Sequence, residues 1–292
     1  MALRFAYNTN GAANHRLDDA LSLIADSGYD GVALTIDHHH FDPFAPDLER
    51  RAEGLAKRLR DLRLGLVIET GARYLLDPRV KHEPTLLNPS TEGRTRRIDF
   101  LIRCIRIAAI CDAEAVSFWA GVSQPGVDPA TAWNWLIDGV AQVADAAAAS
   151  GVTVALEPEP GMLVETVDDF QRLTHDLSER TSRPLRLALD TGHCLVTGER
   201  DPAAAVHEFA SNLGTVAVED MRRGVHEHLP FGQGDMDIPS VLQALEAIGF
   251  DRLVCVELSR ESHRAHLAIP ENLAWLKARE PAAPSLPTRR SA

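Results

Sequence analysis

The sequence predicts an α/β protein closed as a (β/α)8 TIM barrel, and three observations predict it. Short β-branched or aliphatic runs alternate with longer amphipathic stretches along the chain, the pattern of repeated βα units and a parallel sheet. The runs number eight. The first is followed only by NTNGAANH, with no Gly-rich phosphate fingerprint, which argues against an open doubly wound sheet.

Taken in order, the strands are expected at 3–7, 31–36, 65–69, 115–119, 153–157, 186–190, 215–219 and 253–257. Amphipathic helices follow, for instance at 16–27, 129–150, 202–211 and 238–248; Pro129 and Pro202 each stand behind an aspartate, as in a capped first turn. Two connections are longer than the rest, 70–94 after the third strand and 220–237 after the seventh. Both follow strands, so both are expected over the catalytic face, as lids. Residues 1–280 make one barrel domain. The closing 281–292, rich in Pro, Ala and Ser without periodicity, reads as a disordered tail.

With 45% hydrophobic residues the chain has material for a large core, and its 42 acidic against 30 basic residues give a formal charge of −12. That balance repels phosphate backbones and anionic membrane surfaces, so neither nucleic acid nor membrane is an expected partner. Cys104, Cys111, Cys194 and Cys255 form no CxxC pair and read as reduced core thiols. The N-terminus lacks a leader pattern, and no eighteen apolar residues run together, so a cytoplasmic enzyme is the expectation.

Residues two apart on a strand share a face. In the fifth strand Val152, Val154 and Leu156 fall outward and Glu157 inward; in the sixth Leu185, Leu187 and Leu189 fall outward and Asp190 inward; in the eighth Val254 and Val256 fall outward and Glu257 inward. Three acids thus end three strands in one phase, where they repel unless a cation or shared protons compensate. The histidines His193, His226, His228, His263 and His266 lie in the neighbouring loops, and oxygen with imidazole ligands suits Mg2+, Mn2+, Co2+ or Zn2+. The run His38, His39 and His40 reads as a solvated loop.

The stretches ALEPEPG, LALDTGHC, HEHLPFGQGDMD and VCVELS, at the ends of strands five to eight, resemble the xylose isomerase-like barrel superfamily, which holds sugar isomerases and epimerases, inosose dehydratase and the family-four AP endonucleases. The resemblance runs from the first strand to about Ala278. It implies a single divalent metal on Glu157, Asp190 and Glu257, with His193 as a substrate contact and members that are often dimers or tetramers. The superfamily's strand-seven histidine is replaced here by Ala217 in TVAVEDM. His228 is the first choice to complete the metal site, with His226 and Glu219 as rivals that otherwise contact substrate. The endonucleases also use histidines on strands three and four, where this chain has Glu69 and Trp119, so a trinuclear zinc site and DNA repair are not expected.

What the resemblance implies is a metal-dependent isomerase or epimerase of a small sugar or polyol, Glu157 and Glu257 serving both as ligands and as proton carriers. A lyase acting on a cyclitol or keto-sugar uses the same groups if a β-hydroxyl departs, and a non-catalytic metabolite-binding barrel is the third alternative. With only three lysines, Lys57, Lys81 and Lys277, phosphorylated substrates are disfavoured, although Arg73, Arg222 and Arg223 lie in catalytic-face loops and suit an anion; Arg222 is taken as a substrate contact.

Overall fold

The computed structural model describes residues 2–280; the expected tail lies outside them. The strands are β1 Arg4–Asn8, β2 Gly31–Thr35, β3 Gly65–Glu69, β4 Ala115–Trp119, β5 Val154–Glu157, β6 Arg186–Asp190, β7 Leu213–Val218, β8 Asp220–Arg222, β9 Val225–Leu229 and β10 Leu253–Val256. Eight of them close a parallel barrel in the order β1-β10-β7-β6-β5-β4-β3-β2. This is the expected fold, with strand boundaries displaced by a residue or two.

The helices around it are α1 Leu17–Ser27, α2 Leu48–Leu62, α3 Thr91–Cys111, α4 Pro129–Ala149, α5 Val167–Leu177, α6 Thr191–Thr197, α7 Pro202–Glu208, α8 Ile238–Ala247 and α9 Ala265–Lys277. α4 shows why they form and how they dock. Asp128 accepts a hydrogen bond from the Thr131 N–H ahead of a proline at the helix start, and Ala132, Leu136, Val140, Val143 and Ala147 make one buried stripe at helical spacing. Asp201 caps α7 in the same way. No helix among the described residues is long and apolar enough to cross a membrane, and all four cysteines are free.

The strand phase is as the alternation predicts. Leu185, Leu187, Leu189, Val254 and Val256 belong to the core between barrel and helices, whereas Ala6, Ala33, Val67, Leu253 and Cys255 form a separate cluster inside the barrel. Above that cluster, at the strands' catalytic ends, Asn8, Thr35, Glu69, Trp119, Glu157 and Glu257 line one cavity.

The connection at 220–237 was expected as a loop and contains a hairpin instead, β8 paired antiparallel with β9. Gly224 supplies the turn with φ +73°, a conformation that glycine adopts without steric cost. The connection at 70–90 has no regular element, yet Leu76, Leu86 and Leu87 in it are fully buried, so it is packed down by its own apolar residues.

Candidate active site and metal centre

A cavity of about 310 Å3 lies over the catalytic ends of the strands, at the lower end of the size range of small-ligand sites. Asp190 ends β6, and its carboxylate does two things. Oδ1 accepts from the Gly192 and His193 N–H groups at 2.8 and 3.2 Å, capping α6, while Oδ2 is buried without a partner. Glu219 stands one residue beyond β7, fully buried, with neither carboxylate oxygen partnered. It has room because α6 carries Gly192, where any Cβ would collide with Glu219 Oε1.

The hairpin supplies the imidazoles. On a strand His226 and His228 share a face, and in β9 that face meets the cavity. His228 Nδ1, buried and without a hydrogen-bond partner, lies 3.9 Å from Glu219 Oε2. His193 Nδ1 is 2.9 Å from the Pro158 carbonyl, which only accepts, so the proton sits on Nδ1 and Nε2 faces His226 Nε2 at 3.1 Å. Asp220 pins the return of the hairpin, accepting from the Gly232 and Met236 N–H groups at 2.8 and 3.1 Å.

Three sets of groups converge within 4.8 Å: Asp190, Glu219 and His228; Glu157, Asp190 and His193; and His193, His226 and His228. The first two share Asp190. Of the four expected ligands, Glu157, Asp190 and His228 fall in these sets. Glu257 belongs to none of them; it lines the cavity and accepts from Asn10 Nδ2 at 2.7 Å. Ala217, in register with Asp190 and with Cys255, is followed two residues on by Glu219, which enters the first set.

The electrostatics are those of crowded acids. Burial, then Glu159, Glu69, Glu257 and Asp190, raise the Glu157 carboxyl well above the usual range; burial and then Asp190 do the same to Glu219. Glu69 is pushed up to about 8 by burial and by Glu257, against the Ser117 hydroxyl that donates to it. Burial opposes a charged His228, but Glu257, Glu219 and Asp190 outweigh it and push the imidazole up to about 10. His226 is held down at about 4 by burial and by its two histidine neighbours. Unpartnered buried oxygens among so many acids are the arrangement that a divalent cation relieves.

Other expectations fail on geometry. Arg222 is exposed in the hairpin and is not among the residues lining the cavity, so the structure does not bring it to the site as a substrate contact. His263 and His266 do not line the cavity, and His263 bonds the Arg260 carbonyl. In the 38–40 run, His39 and His40 reach the His15 carbonyl, and His40 is buried where a solvated loop was expected. Glu159, Glu69, Asn10 and Trp119 line the cavity without having been assigned to it. Glu159 was findable, two residues beyond Glu157 in the same phase. Asn10 gave no signal, because its place depends on how β1 meets β10.

The family model described as xylose isomerase-like TIM barrel matches residues 21–279. The chain belongs to this family. Among its relatives, 2-oxo-tetronate isomerase of Cupriavidus necator is 24% identical over 60% of this chain and 64% of its own length, so the chain matches just under two thirds of that enzyme. L-ribulose 3-epimerase of Mesorhizobium japonicum is 24% identical over 90% of this chain and 80% of its own. Inosose dehydratase of Geobacillus thermodenitrificans is 27% identical over 44% and 48%. These are the isomerase, epimerase and dehydratase classes to which the sequence pointed. Among solved structures, a putative xylose isomerase from Rhodospirillum rubrum superposes with a TM-score of 0.79 at 23% identity, covering 96% of this chain and all of its own. The IOLI protein, solved with a zinc atom, superposes at 0.70 and 18% identity over 95% and 96%. At these identities the superpositions show the fold.

Proposed function

We propose that this member of the family is a divalent-metal-dependent isomerase or epimerase of a small polyhydroxylated carbonyl compound. The observation that carries the reading is one cavity with Glu157 on its β5 side and Glu257 on its β10 side, separated by β6 and β7, beside the unpartnered Asp190 Oδ2, Glu219 carboxylate and His228 Nδ1. The residues fit a metal: Asp190, Glu219 and His228, with Glu157 beside them, would hold it, and the mixed set admits Mn2+, Mg2+, Co2+ or Zn2+. When bound, such an ion polarises a substrate carbonyl and the adjacent hydroxyl and so acidifies the C–H between them.

The protein's own groups do the rest. Glu257, fixed through one oxygen by Asn10, takes or returns a proton on one side of the substrate, and Glu157 does so on the other. Return to the same carbon from the opposite face is epimerisation; return to the neighbouring carbon is isomerisation. His193, paired through Nε2 with His226, and Trp119, which offers a ring for the substrate's C–H face, line the same cavity. A dehydratase reading has an observation of its own: Glu69, held protonated near neutrality by burial and by Glu257, lines the cavity as an acid able to protonate a departing hydroxyl.

A panel of ketoses, keto-acids and inososes incubated in D2O with the reloaded protein decides between them by NMR. Deuterium entering at carbon without loss of water is expected; an unsaturated product would replace the isomerase reading by the lyase one. Reloading with each ion in turn ranks the metals.

A further inference from the structure

We propose that the substrate carries an anionic end group, a carboxylate or a phosphate monoester, and that Arg73 and Lys81 of the loop after β3 bind it. The proposal rests on the cavity being the isomerase or epimerase site. It starts from the uneven charge of that cavity. The floor holds the acids and the histidine cluster, and the rim holds three cations, Arg73, Lys81 and Arg260. Arg260 is spoken for, since its guanidinium bonds Glu227. Among the described residues no carboxylate comes within ion-pair distance of Arg73 or Lys81, although the same cavity is lined by Glu69, Glu157, Glu159 and Glu257. Two cations beside so many acids, paired with none of them, are left for a ligand.

The loop is built to hold them there. Ala72 and Arg73 both have positive φ, 57° and 44°, a region that non-glycine residues seldom enter and keep only when their surroundings impose it. The brace is His82, whose N–H donates to the Arg73 carbonyl at 2.6 Å and whose Nδ1 bonds the Gly71 carbonyl. The two ends of the 71–82 segment are thereby tied together, and Lys81 stands next to the tie. His82 itself is held neutral by burial first, with Lys81, Arg97 and Arg73 adding to the effect.

Arg73 also fixes the scale of the ligand. Its Nη2 lies 3.5 Å from the Asn10 carbonyl, and the Asn10 amide holds Glu257. The guanidinium is therefore one residue away from a proton-carrying carboxylate, so the anionic end belongs close to the reacting carbons of a short substrate. A planar guanidinium fork matches the two oxygens of a carboxylate or phosphate, and a lysine beside it adds a point charge.

Three four-carbon probes sharing one polyol test this: erythritol, erythronate and erythritol 4-phosphate, titrated calorimetrically into full-length protein after its metal uptake has been measured. The expected result is that at least one anion binds about 10-fold or more tightly than erythritol, that Arg73→Gln, Lys81→Gln and the double variant remove the gap, and that Arg222→Gln, outside the cavity, keeps it. Which anion shows the gap identifies the source of the charge. Equal binding of all three probes overturns the proposal, as does binding of none. A preference for erythronate that survives the double variant also overturns it, because the metal and not the rim then reads the charge. If the protein takes up no divalent ion, the parent reading fails, while the charge preference of the metal-free protein still decides the rim.

Discussion

Asp190 divides its carboxylate between structure and chemistry, one oxygen capping α6 and the other buried and unpartnered beside Glu219 and His228. Asp190→Asn keeps a capping oxygen but surrenders the charge. It should therefore fold with a thermal midpoint near that of the wild type and lose metal affinity by at least about 10²-fold; unfolding at room temperature would assign the residue to structure alone. Glu157 and Glu257 separate in the same way. Glu157→Gln and Glu257→Gln should each lower turnover by at least about 10²-fold, but Glu157, which sits among the converging ligand groups, should also weaken metal uptake, whereas Glu257, held by Asn10 outside those groups, should leave it nearly intact. Turnover and metal titration on both variants check this, and near-wild-type turnover in either removes the two-base scheme. The acids were legible in the sequence because alternation fixes their phase. Glu219 as the neighbour of Asp190 was less so, since its seat depends on the absence of a side chain at Gly192, on another strand–helix junction.

Among the elements, the hairpin is what brings imidazole to the site. VHEHL alternates as a strand does, so a period-2 reading of the connection would have placed His226 and His228 on one face and Glu227 on the other; the segment was missed because it is five residues long and flanked by turn residues. Its anchor is Asp220, and Asp220→Ala leaves the part-buried Gly232 and Met236 N–H groups without their acceptor, which loosens the return of the hairpin. Hydrogen exchange should show 220–236 opening while the barrel strands stay protected, together with weaker metal binding; unchanged protection would mean that the hairpin holds itself. The 71–82 loop carries a pH dependence. His82 in place is held down at about 4, by burial first, against 6.5 when free, so it is neutral in the closed loop. The stability it lends is complete above pH 6.5 and is lost as pH falls from there through about 4. Hydrogen exchange of 71–82 should accelerate across that window in the wild type and lose this dependence in His82→Gln.

For the whole molecule, the barrel interior is filled by small side chains around Leu253, which shares its cluster with Ala6, Ala33, Val67 and Cys255. Leu253→Ala leaves a void that its short neighbours cannot fill and should cost about 2–5 kcal/mol, read as a lower thermal midpoint with the metal site unaltered; a loss under about 1 kcal/mol would mean that the barrel collapses onto the gap. The same closure sets the site. It makes neighbours of β1 and β10, so that Asn10 reaches Glu257 across a sequence separation of 247 residues, and it gathers Asp190, Glu219 and His228 from a strand end, a strand exit and a hairpin.

The sequence by itself determined the barrel, nearly all strand positions and the inward phase of Glu157, Asp190 and Glu257, because hydrophobic period and strand alternation are local properties. Tertiary structure alone decided that Arg222 points away while Arg73 and Lys81 line the cavity, that His263 and His266 stay outside it, and that Glu219 joins Asp190 and His228. Those outcomes depend on loop paths and on the distances between different strands, which the order of residues along one strand does not encode.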